Sequence, residues 1–213
     1  SDYVVGLYAQ ANRITITPLL LLSIAISQVF TQRAAHARRQ GNLARLTTLT
    51  ARDLLRVGWY PAMALFFFSP PLTTWFLGAV WSEAGHYVQI LSIWMLTTLI
   101  CTPLTALYAV LERQELGLVM SLLLLGFRLV GLVIGALAGK PRLAIALYAI
   151  IGSTINMVQV ALLMRLARAD LRPMLNTVAI SLAFTALLGG MLYFLRFPVE
   201  NPWGAIGGTL ISG

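Results

Sequence analysis

Two arginines stand inside apolar runs that contain no carboxylate to neutralise them. Arg13 falls within Val5–Phe30, and Arg128 lies in Leu116–Gly139, a run with no other charge. At 1.5 Å of rise per residue, Arg128 lies about 18 Å along its segment. A guanidinium at such depth costs a few kcal/mol or more unless an anion or water meets it. Its forked donors match phosphate oxygens, and the attraction strengthens where the dielectric constant is low. The chemistry on offer is therefore capture of an anion, with no bond made or broken. Gly6, Gln10, Arg13 and Thr17 recur at spacings of three and four, so a helix presents them on one face, with Asn12 beside Arg13. Gly117, Ser121, Arg128, Gly131 and Gly135 do the same on the second run. The plainer alternative is a structural arginine that reaches a lipid headgroup or pairs with Asp2.

The elements that would position these residues are membrane spans. Apolar residues make up 59 % of the 213-residue chain and charged residues 10 %, against roughly 25 % charged in a soluble domain. Ile14–Gln32, Val57–Ser82, Ala84–Leu111, Leu143–Met164 and Pro173–Leu195 carry no charge at all. Each meets or approaches the roughly 20 residues that a transmembrane helix requires. The expected fold is an all-α polytopic transmembrane bundle of six spans, with a seventh cut short in Trp203–Ser212. It forms a single transmembrane unit over 1–213. The chain opens at Ser1 without Met and stops in an apolar stretch, which reads as a fragment of a larger transporter.

Charge sets the expected topology. Ten arginines fall in 31–56, 112–115 and 165–172, against Lys140, Arg142 and Arg196 in the connections on the other side. The positive-inside bias makes the former cytoplasmic and puts the Ser1 end outside. The net charge of +8 is thereby explained without nucleic acid. Residues 33–56 read as a basic helix lying in the cytoplasmic interface on anionic lipid headgroups. Trp59 and Tyr60, with Trp75 and Trp81 opposite, read as the two aromatic belts of the second span. Pro61, Pro70 and Pro71 should make that span irregular.

Several features read most simply as packing. Gly131, Gly135 and Gly139 repeat every fourth residue and allow close helix approach. Gly152, Asn156 and Gln159 share a face suited to interhelical hydrogen bonds. The hydroxyls around Pro103 should bond back to their own helix. Glu112-Arg113-Gln114-Glu115 is either a solvated turn or an ion-pair partner for another loop. Cys101 is a packing residue and His36 a solvated one. No metal-ligand cluster, nucleotide loop or nucleophile–base set is present, so neither a cofactor nor a metal is expected and the chain does not read as an enzyme.

The run VGLYAQANRITITPLLLLSIAISQVFTQRAA resembles bacterial polysaccharide biosynthesis transporters. So do Gly41-Asn42-Leu43, WSEAGHYVQILSIW and TALYAVLERQELGL. These transporters are the oligosaccharide flippases, or O-antigen translocases, of the MOP exporter superfamily. The resemblance implies the second lobe of a two-lobed transporter around a cationic cavity. It also implies an undecaprenyl-pyrophosphate-linked oligosaccharide flipped across the bacterial inner membrane by alternating access. Arg13 sits in the family-like run from Tyr8 to Arg13. The alternatives are a multidrug or organic-cation exporter of the same superfamily, a membrane-embedded glycan polymerase or ligase, and a non-transporting scaffold. A substrate-binding cavity would then draw on Gln10, Asn12, Arg13, Thr17, Ser121 and Arg128. The expected partners are the lipid-linked oligosaccharide, anionic lipids at the basic loops and a first lobe.

Overall fold

A computed structural model describes residues 2–194, and every element in that range is a helix. The expected turn at 196–202 and the truncated seventh span lie outside the described residues. In order, α1 is Asp2–Arg39 and α2 is Leu43–Leu77, followed by a 3₁₀ turn, Ala79–Trp81. Then come α3, Ser82–Leu104, the short α4, Ala106–Val110, and α5, Gln114–Leu137. Last are α6, Pro141–Leu166, and α7, Arg172–Phe194. Five of the six expected spans fall on one helix each, and the third, over Ala84–Leu111, is divided between α3 and α4. Among the described residues three segments are long and apolar enough to cross a membrane: Ala79–Val110, Gln114–Leu137 and Arg142–Leu166. Their length and apolarity, in a chain of this composition, make it a membrane protein.

Helix α3 is the centre of the bundle. It packs on α1, α2 and α6, while α5 lies outside on α6 and α7 rests on α2. Tyr87, Val88, Leu91, Ile100 and Leu104 are essentially inaccessible. The opposite case is α5, whose Leu118, Leu122, Leu125, Val130 and Leu137 are all exposed.

Polar pairs fix α6 against α3. Asn156 Nδ2 donates to Thr98 Oγ1 at 3.0 Å and to Thr97 Oγ1 at 3.4 Å. One turn along, Cys101 Sγ donates to Gln159 Oε1 at 3.3 Å. These bonds remove the desolvation cost of burying the amides. Near Pro103 the expected back-bonding occurs, with Thr105 Oγ1 donating to Thr102 O at 2.7 Å.

The basic stretch is built differently from the interfacial helix expected over 33–56. Residues 33–39 end α1, and 43–56 begin α2. Between them Gly41 takes φ 73°, and Asn42 N donates back to Ala37 O at 2.9 Å. This is a glycine-terminated Schellman stop, which the residue type allows without strain. The amphipathic pattern was real, but it belonged to two antiparallel helix ends rather than to one helix on the surface. Glu112 and Arg168 end their helices in the same way at φ 58° and 54°.

Because α2 starts at Leu43, Trp59 falls well inside it. Trp59 is buried and its Nε1 donates to Thr185 Oγ1 at 3.0 Å. It is thus a core residue rather than a boundary marker, whereas Trp75 is exposed near the far end. The three prolines are accommodated in one continuous helix. Ser69 Oγ donates to Gly85 O at 2.9 Å, and Thr74 Oγ1 donates to Pro70 O at 2.9 Å. The first of these bonds ties α2 to α3, and the second is a back-bond within α2.

Candidate functional site

The two arginines singled out from sequence occupy different surroundings. Arg13 is exposed on α1, about 37 Å along the axis from Arg38 at the basic end. Gln10, Asn12 and Thr17 lie on the same helix, and their side chains fall outside what the structure describes.

Arg128 is half-buried and turned from α5 into the seam between α3 and α6. Its guanidinium carbon lies 4.7 Å from the ring centre of Trp94 and 4.3 Å from that of Tyr148. The two rings meet edge to face at 5.3 Å. Gly152 forms the floor, because a Cβ there would collide with Arg128 Nη2 and approach Trp94 Nε1 at 3.0 Å. A half-buried arginine between two aromatic faces gains about 1 kcal/mol from the ring quadrupoles. Trp94 Nε1 is buried without an acceptor among the described residues, a neutral N–H donor beside the guanidinium. Ser121 lies elsewhere: it is exposed, and its hydroxyl bonds back to Gly117 O at 2.9 Å. The face expected to join Ser121 to Arg128 is therefore divided by depth. Gly131 and Gly135 are buried against α6, while Ser121 looks outward.

A third group was not recognised from sequence. Arg45, Arg52 and Arg56 are spaced by seven and four residues, which places them on one face of the continuous α2. Arg52 is tied to Asp53, Nη2 to Oδ1 at 2.8 Å. Arg45 and Arg56 are exposed and make no ion pair among the described residues. Gly58 packs on Leu96 and Leu99. Arg56 comes half a turn earlier on α2. It lies one turn of α2 beyond the Arg52–Asp53 ion pair. The signal was present as the i, i+7, i+11 spacing, but it carried meaning only if the helix began at Leu43.

The basic end is closed by an ion pair. Arg38 Nη1 reaches Glu112 Oε1 at 3.0 Å and also donates to Val110 O, joining α1 to the turn before α5. At the other end Arg142 Nε meets Glu83 Oε1 at 3.4 Å. Both pairs are substantially exposed, so each contributes at most about 1 kcal/mol. Among the described residues no group of His, Cys, Asp and Glu is placed to hold a metal.

No curated protein and no solved structure matches the chain. The model of a family described as polysaccharide biosynthesis protein matches residues 1–86. That match covers 86 of the 213 residues and includes Arg13, Arg45, Arg52 and Arg56; over this segment the chain is similar to that family.

Proposed function

We propose that this chain is part of a flippase that carries an undecaprenyl-pyrophosphate-linked oligosaccharide from the cytoplasmic to the periplasmic leaflet of a bacterial inner membrane. The observation that carries the reading is the pair of exposed arginines Arg13 and Arg56, set on α1 and α2 within the segment that the family model matches. Exposed apolar surface on the same helices makes hydrocarbon or a partner lobe their surroundings, and a pyrophosphate supplies the negative charge they lack. Arg128 adds a further cation in the α3–α6 seam. The transport step is alternating access by a two-lobed body, with a first lobe completing the cavity. The basic segments 31–56, 112–115 and 165–172 face the cytoplasm, where anionic lipids meet them. No bond is broken in the cycle, so the protein is a carrier and not an enzyme.

Binding tests the reading directly. The full-length protein in detergent should bind a polyprenyl diphosphate about tenfold or more tightly than the corresponding neutral polyprenol, and salt should weaken the difference. Equal affinity for the two, or a preference for organic cations, would overturn it.

A further inference from the structure

The hairpin of α1 and α2 opens into a groove whose polar and apolar ends are ordered like a phospholipid. At the basic end is a cavity of about 500 Å³, lined by Arg33, His36, Arg45, Gln40 and Asn42. Its floor is apolar, with Ala37, Leu46 and Leu49. A second cavity of about 340 Å³ continues from it, and Arg33 and Leu46 line both. The continuation runs along Ala25, Ile26, Val29 and Phe30 and is almost wholly apolar.

Arg33 and Arg45 are exposed and make no ion pair or hydrogen bond among the described residues. His36 contacts Gln40 at 2.9 Å, Nε2 to Nε2, at the rim of the polar end. The polar half stands level with the other basic turns. Arg38, on the same stretch of α1, meets Glu112, and Thr48, one turn beyond Arg45, accepts from Asp170 N at 3.0 Å. The apolar half extends away from those turns toward the centre of the bundle. Two cations at the boundary above an apolar channel complement a phosphate with an acyl chain attached, whereas a free phosphate would leave the channel empty.

We infer that this groove is a binding site for an anionic glycerophospholipid, with the phosphate between Arg33 and Arg45 and one acyl chain along Ile26, Val29 and Phe30. The inference rests on the chain being a membrane protein and is independent of what the protein transports. The site is separate from Arg13, Arg56 and Arg128.

The test is native mass spectrometry of the full chain in detergent, titrated with dioleoyl phosphatidylglycerol or dioleoyl phosphatidylcholine. The unmodified protein should retain the anionic lipid about tenfold better. Arg33→Gln with Arg45→Gln should reduce its retention to the phosphatidylcholine level. Val29→Asp, at an exposed position that leaves packing intact, should weaken both lipids. Arg165→Gln with Arg172→Gln removes the same charge from another basic turn and should change little. Millimolar inorganic phosphate should not displace the lipid. Equal loss in the Arg165/Arg172 variant would overturn the site in favour of diffuse attraction. Displacement by inorganic phosphate, or no effect of Val29→Asp, would overturn the lipid as its occupant.

Discussion

Removing the charge at Arg13 and Arg56 together is expected to abolish glycan export while leaving the protein inserted and abundant. Both side chains are exposed, so their loss costs no packing. Under the proposed function, what is lost is the interaction with the substrate's pyrophosphate. Each charge-assisted contact contributes about 1.5–3 kcal/mol, so the double variant Arg13→Ala, Arg56→Ala should transport at about one hundredth of the normal rate or less. Lysine at either position should restore only part of the rate, because an ammonium lacks the fork that grips two phosphate oxygens. The measurement is surface glycan in cells whose only copy is the variant, normalised to protein in the membrane fraction. Normal export by the double variant would mean that the substrate passes elsewhere.

The second large effect is steric. Gly135→Ala is expected to lower stability by about 2–3 kcal/mol, far more than one methyl group usually costs in a helix. A Cβ at Gly135 would overlap Ala144, standing 2.6 Å from its backbone nitrogen, and a backbone cannot move aside as a side chain can. Helix α5 must then withdraw from α6. Since Arg128 is held against Trp94 and Tyr148 only while those helices touch, its aromatic enclosure should loosen as well. Gly126→Ala is the control, because nothing lies within 4 Å of a Cβ there. Thermal unfolding in detergent should separate the two variants clearly; similar unfolding temperatures would contradict the close α5–α6 contact.

The parts of the fold legible in the sequence were those set by local pattern. Charge-free runs gave the helices, since apolar length alone distinguishes a span from a surface helix. The glycines at 131 and 135 gave a close-packed face, and Asn156 and Gln159 gave an interhelical polar seam. Which residues they met could not be read, because Ala144, Thr97, Thr98 and Cys101 are neighbours only after folding. Two readings failed for one shared reason. Leucines at 43, 46, 49 and 54 follow helical periodicity among the arginines of 33–56, and that pattern suits a helix on a membrane surface as well as a helix end. The structure begins α2 at Leu43 and buries Trp59 against Thr185 of α7. Arg128 was legible as an anomaly, but its enclosure by Trp94 and Tyr148, from two other helices, was not.

Reconstitution of the full-length protein into vesicles with a fluorescent lipid-linked oligosaccharide tests the central claim most directly. With the glycan inside at the start, it should become accessible to an external glycosidase over time. The Arg13→Ala, Arg56→Ala protein should perform no better than empty vesicles. Unchanged latency with the unmodified protein, or equal transfer by the double variant, would contradict the account.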